Sequence, residues 1–152
     1  ICGKLPTSFS RLKNLRKLNC NFCCLHGEFP EIFGNMPFLE ETYWDGNGFT
    51  GSVPDVSRLS NLTKISLNLN NFTGALPDSF CKLSLLHDCR IGSDTDYAPY
   101  QASYPWLLQT RGNVYSCPLP ECILSGICDS PSASPVASPI TCKSSVTKHE
   151  QI

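Results

Sequence analysis

A glycine-to-proline phrase recurs four times along this chain: Gly3-Lys4-Leu5-Pro6, Gly27-Glu28-Phe29-Pro30, Gly51-Ser52-Val53-Pro54 and Gly74-Ala75-Leu76-Pro77. The spacings are 24, 24 and 23 residues. A fixed period in the twenties means that each unit is one supersecondary element, unable to bury its apolar face except against its neighbours. Such a chain folds as a stack. It works through an extended surface, one row of side chains per unit, rather than through a single catalytic pocket.

Aligned on that glycine, the units share more than the phrase. The third reads Leu59, Leu62, Ile65, Leu67, Asn70, Phe72, Gly74, and the second Met36, Leu39, Thr42, Trp44, Asn47, Phe49, Gly51. The first reads Leu12, Leu15, Leu18, Cys20, Cys23, Leu25, Gly27. A fourth starts with Leu83, Leu86, Cys89 and Ile91, places Asp94 at the Asn slot, and then loses the pattern. Asn113-Val114-Tyr115-Ser116-Cys117-Pro118-Leu119-Pro120 matches residues 70–77 position for position, with Cys117 for Gly74. It is expected to be a fifth, degenerate unit that closes the array.

These residues resemble the leucine-rich repeat, whose frame is L-x-x-L-x-L-x-x-N/C-x-L. The G-x-[LFV]-P phrase, with an aromatic two residues before the Gly, resembles the subtype of plant receptor ectodomains and inhibitors, and also protist surface antigens. The resemblance covers residues 1–120. It implies a right-handed solenoid with short parallel strands, an irregular or 3-10 outer side, and a disulfide-stapled C-terminal cap. Residues 121–142 are then a Cys/Ser/Pro-rich cap and linker, and 143–152 a tail. Thr42 at a core strand slot and Asp94 at the Asn slot depart from the frame.

Side chains alternate along a strand, so Ile65 and Leu67 point inward while Lys64, Ser66 and Asn68 point out. Strands are expected near residues 18–20, 42–44, 65–67, 89–91 and 108–110. Leu5, Phe29, Val53 and Leu76 should lie inward on the opposite side. The Asn of each unit turns the chain away from its strand, and stacked Asn residues form a ladder in which Cys23 is the family's usual substitute. The glycines supply positive φ or close approach, and the prolines keep the following segment out of a regular helix.

The chain has 152 residues, 41% of them apolar, and a net charge of −1, so nothing in its charge suggests a nucleic-acid partner. No apolar run reaches the 18 or so residues of a membrane span. Ile1 falls in the slot of Phe49 and Phe72, which implies a fragment of a longer protein, one that could itself be attached to a membrane.

Ten cysteines point to an oxidising compartment, and so to an extracellular or cell-surface protein. Cys20 and Cys89 replace core leucines and are expected to be small hydrophobes, three rungs apart and too distant to bridge each other. Cys81 and Cys122 fall on one flank of adjacent units and are expected to bridge. Cys117 is paired with Cys128, and Cys142 is left to pair elsewhere or stay free. The triplets Asn61-Leu62-Thr63 and Asn71-Phe72-Thr73 are acceptors for N-glycosylation on exposed positions beside the strand face. Residues 129–142 are rich in Ser and Pro and read as an extended linker or stalk.

Nothing suggests catalysis. His26, His87 and His149 read as surface residues, and no phosphate loop, nucleophile elbow or carboxylate pair appears. Cys20-x-x-Cys23-Cys24 lacks a second ligand pair, so no metal or other cofactor is implied. The candidate site is the strand face: Lys17, Asn19 and Asn21; Glu41, Tyr43 and Asp45; Lys64, Ser66 and Asn68; Asp88, Arg90 and Gly92. Its mixed charge and single aromatic suit a polar protein or glycan partner. Residues 94–106, with Tyr97, Tyr100, Tyr104 and Trp106, are a second candidate surface, though their rings are expected to pack over the open end of the solenoid. The chain therefore reads as a non-catalytic recognition module. A receptor ectodomain fragment and an inhibitor of a secreted hydrolase are the alternatives.

Overall fold

Each unit sends two short extended segments through the molecule, one on either side of its Asn, and each pairs in parallel with its counterparts in neighbouring units. The computed structural model describes residues 2–92, 103–104, 112–124, 128 and 142–143. Its strands are β1 (Lys17–Asn19), β2 (His26–Glu28), β3 (Glu41–Tyr43), β4 (Gly48–Gly51), β5 (Lys64–Ser66), β6 (Asn71–Gly74), β7 (Asp88–Arg90), β8 (Val114–Ser116) and β9 (Cys142–Lys143). One parallel sheet has the order β1-β3-β5-β7 and the other β2-β4-β6-β8-β9. In the first, Leu18, Thr42, Ile65 and Cys89 stand in register across the rungs. The parallel solenoid is thus the one the repeat implies, with strands one residue earlier than expected. The anticipated strand at 108–110 lies outside the described residues.

The outer side is richer in structure than the sequence implies. Short 3-10 helices do occupy it, at Thr7–Arg11, Phe33–Asn35 and Asp78–Lys82. The second sheet is an addition. It forms because the ladder slot, Asn in the later units and Cys23 in the first, delivers the chain at the same height, so the segments that follow stack closely enough to pair their backbones. Gly51 and Gly74 close these segments at φ of 78° and 79°, a region where a Cβ is strained.

Between the sheets lies one core. Leu5, Phe29, Val53 and Leu76 are all buried within it, as the alternation implies. Phe49, Phe72 and Tyr115, the aromatics two residues before the phrase, are all buried in it; Phe49 and Phe72 stack, and Phe29 meets Phe49 edge-on at 4.8 Å. Each such fully buried ring contributes about 1.5–3 kcal/mol. Thr42 is buried too, and its departure has a local cause. Its Oγ1 accepts the indole N–H of Trp44 at 2.5 Å, so the bulkiest core residue has a partner for its only polar atom.

The Asn ladder is continuous over Asn47, Asn70 and Asn113, all fully buried. Asn70 Nδ2 donates to the carbonyls of Trp44, Leu67 and Asn68, while its Oδ1 accepts the N–H of Phe49. Asn113 repeats this one rung on, donating to Leu67, Ile91 and Gly92 and accepting from Phe72.

Asn113 therefore corrects two expectations. It fills the slot given to Asp94, and residues 113–117 belong to the fourth unit instead of forming a fifth. Ile91 and Asn113 lie 22 residues apart where Leu67 and Asn70 lie 3 apart, so 19 additional residues are inserted in the fourth unit. β8 accordingly pairs directly with β6. A periodic frame places residues by count, and an insertion nearly as long as a unit imitates one more unit. Asp94 itself, with Tyr97, Tyr100 and Trp106, lies outside the described residues.

Disulfides close both ends: Cys2–Cys24, Cys81–Cys122 and Cys89–Cys128, with Cα separations of 4.8, 5.3 and 4.3 Å. Two expectations are corrected here. Cys89 is not a lone hydrophobe, and Cys128 does not pair with Cys117. The inward Cys89 sits on the last described rung of the first sheet, where the cap reaches it through Cys128. Cys117 is disulfide-bonded as well.

Candidate functional site

Parallel register turns the outward residues of the first sheet into rows that cross all four rungs. Lys17, Glu41, Lys64 and Asp88 make one row, and Asn19, Tyr43, Ser66 and Arg90 the next. Beyond the strand ends Asn21, Asp45 and Asn68 continue the pattern, tied by bonds from Asp45 N–H to Asn21 Oδ1 and from Asn68 N–H to Asp45 Oδ1.

The first row alternates in sign and neutralises itself. Glu41 Oε1 receives Lys17 Nζ at 3.0 Å and Lys64 Nζ at 3.7 Å, and Asp88 Oδ1 receives Arg90 Nε at 3.3 Å. The Tyr43 hydroxyl donates to Glu41 Oε2 at 3.2 Å. Hydrogen bonding from Lys17 holds the Glu41 carboxyl below its ordinary range, and partial burial, then the bond to Glu41, raises the Tyr43 phenol. Arg16 and Glu40 add an ion pair at the margin. These contacts are mostly exposed and screened by solvent, so each adds little to stability. Their effect is to hold long side chains in fixed positions on the face.

Asp45 is different. The residue is only partly exposed, and its Oδ1 accepts from Ser66 Oγ at 2.6 Å and from Asn68 N–H at 2.9 Å. Burial outweighs these bonds and pushes the carboxyl up to about 6, with Arg90 lowering it and Asp88 raising it. Ser66 corrects another expectation, because at 3% exposure it is closed to a partner. It is the smallest side chain of its row, flanked by Tyr43 and Arg90, and its hydroxyl is committed to Asp45.

Of the two glycosylation triplets, Asn61 is exposed and donates Nδ2 to the Pro37 carbonyl at 2.8 Å. Asn71 opens β6 and is half-buried, because the segment after the ladder is a strand rather than a free loop. Among the described residues no three His, Cys, Asp or Glu side chains cluster as metal ligands, and no helix is long and apolar enough to cross a membrane.

Sequence reasoning missed the contact that borders this face. Tyr104, from the insertion, stacks on Phe22 of the first unit with ring centroids 4.8 Å apart, and both pack on Leu69 of the third. Phe22 and Leu69 adopt φ of 54° and 59°, rare for bulky residues, and Gly46 holds the same slot between them at 67°. A Cβ on Gly46 would meet the Phe22 ring at 2.2 Å. Only that slot, with its two apolar exceptions and its glycine, could have signalled a seat for an aromatic ring.

Residues 14–36 and 61–83 each match the Leucine Rich Repeat family. Receptor-like protein 6 of Arabidopsis thaliana is 38% identical over 92 residues, which are 60% of this chain and 9% of that protein. Receptor-like protein 52 of the same plant is 38% identical over 85 residues, 55% of this chain and 10% of that protein. The chain thus spans about a tenth of the length of these curated relatives. Among solved structures, the BIR2 ectodomain from Arabidopsis thaliana superposes with a TM-score of 0.63 at 22% identity, over 94% of this chain and 62% of that one. A plant peptide hormone receptor, RGFR1 in complex with RGF2, superposes at 0.60 and 25% identity, over 81% of this chain and 16% of that one. The fold is that of leucine-rich-repeat ectodomains, and the sequence is similar to plant receptor-like proteins.

Proposed function

We propose that this chain is a non-catalytic recognition module, part of the extracellular portion of a leucine-rich-repeat receptor-like protein, and that it binds a polar protein or glycan partner along the strand face. The observation that carries this is the pair of in-register rows, Lys17-Glu41-Lys64-Asp88 and Asn19-Tyr43-Ser66-Arg90. Adjacent rungs merge into one patch about 4.8 Å per rung wide, its side chains pre-positioned by their own ion pairs. The patch is polar and electrically balanced, so it suits hydrogen-bonding partners over polyanions or lipid. Disulfides at both ends favour an extracellular setting. The receptor-like names of the relatives favour this reading over an inhibitor of a secreted hydrolase.

Tyr43 and Arg90 share a row and are of the residue types that most often dominate binding. With the partner recovered by pull-down, Tyr43→Ala and Arg90→Ala should each weaken affinity by about 1–3 kcal/mol, and Asn61→Gln should change it little. Affinities unchanged by both alanine substitutions would remove the strand face as the site.

A further inference from the structure

The turn that leaves β1 carries two free thiols, Cys20 and Cys23, in a chain whose other described cysteine side chains are all disulfide-bonded. Asn21 and Phe22 form the middle of this turn, and Phe22 has the positive φ that the third residue of a type II turn takes. Such a turn holds its end Cα atoms within about 7 Å of each other, and disulfides span about 4.4–6.8 Å. One side chain fixes both ends: Asn47 Nδ2 donates to the Cys20 carbonyl at 2.8 Å, and Asn47 Oδ1 accepts the Cys23 N–H at 3.2 Å. Cys23 is exposed and Cys20 half-buried. Burial first, then the neighbouring Cys23, which hydrogen-bonds it, pushes the Cys20 thiol up to about 11, which leaves the exposed Cys23 as the one to attack first.

We propose that Cys20 and Cys23 are a redox site whose substrate is a low-molecular-weight disulfide. The exposed Cys23, as thiolate, attacks one sulfur of the disulfide, forms a mixed disulfide and expels the other half as thiolate. Cys20 then gives up its proton, attacks the Cys23 sulfur and expels the second half. One intramolecular bridge forms, one disulfide is reduced to two thiols, and the two cysteine protons pass to the thiols released. The bridge would lock the turn that carries Phe22, and with it the ring on which Tyr104 stacks.

The test uses the intact chain with oxidised glutathione as the probe, read by differential alkylation and peptide mass mapping. Both positions should be alkylatable beforehand, and afterwards a peptide cross-linked between Cys20 and Cys23 should replace them. Cys20→Ser should trap a lasting glutathione adduct on Cys23, and Cys23→Ser should leave Cys20 alkylatable and almost unreacted. Circular dichroism shows whether each variant keeps the native fold, and phenylarsine oxide, which binds paired thiols, gives a second readout on the native chain. A stable glutathione adduct on Cys23 of the native chain, no reaction at either thiol, or bridges from either to other cysteines would overturn the proposal.

Discussion

Asn113 donates to the carbonyl of Ile91, 22 residues earlier, the same bond that Asn70 makes to Leu67 only 3 residues earlier. The ladder thus holds its register across an insertion, and the fourth rung depends on one side chain to resume the pattern. Asn113→Ala would orphan the Gly92 carbonyl and the N–H of Phe72, while the Leu67 carbonyl keeps Asn70 and the Ile91 carbonyl keeps the Tyr115 hydroxyl. The expected loss is about 2–4 kcal/mol, since each unsatisfied buried group costs about 1–3 kcal/mol and the array relaxes in part. Chemical denaturation measures it, and a loss under about 0.5 kcal/mol would mean that the rung does not rely on this amide.

Thr42 and Trp44 make a second test of a buried polar pair. Thr42→Val keeps the shape and removes the acceptor of the indole N–H, so about 1–3 kcal/mol of stability should go. Thr42→Ser keeps the hydroxyl and should cost less. If the two variants denature at the same midpoint, the indole bond carries no weight.

The carboxyl of Asp45 gives a pH dependence of unusual sign. Its folded-state value of about 6 is above the ordinary Asp value of 3.8, so between these limits the folded chain binds the proton more tightly than the unfolded chain. This group therefore favours folding below about pH 4 and loses that advantage as pH rises through 6, by about 3 kcal/mol. Glu41 and Asp55, both shifted downward, act in the opposite sense. The comparison to make is the native chain against Asp45→Asn, which preserves acceptors for Ser66 and Asn68. The difference in unfolding free energy should change from pH 4 to pH 7, and a constant difference would refute the shift.

Replacing Cys81 and Cys122 together by Ser frees a loop of 41 residues in the unfolded chain, which should cost about 2–4 kcal/mol. The transition in denaturant should move down in midpoint while the strand-face pairs remain. An unchanged midpoint would show that the cap is held by packing alone.

How far the sequence discloses this molecule follows from what a period can encode. Ile65, Leu67, Asn70 and Phe72 fall inward because equivalent residues stack at every rung, so alternation and a 23- or 24-residue count suffice to place them. Asn113 defeats the count, since an insertion of near-unit length looks like one more unit until its hydrogen bonds are known. Ser66 sits in an outward slot, and its burial depends on the sizes of Tyr43 and Arg90 beside it, which alternation does not register. Cys89 occupies a leucine slot, and neither the period nor the alternation registers its bond to Cys128. The seat for Tyr104 lies in backbone conformation at Phe22 and Leu69, where the residue types argue against the φ they adopt.

A stack of units ordinarily behaves as a line: each rung feels only its neighbours, and an end can fray while the middle stays intact. The ring of Tyr104 resting on Phe22 joins the fourth unit to the first and turns the line into a circuit. Opening the first rung must then release a residue held by the last, so local fraying at that end is coupled to the far one. Amide exchange at both ends would consequently share a single opening rate where an open array would show a gradient.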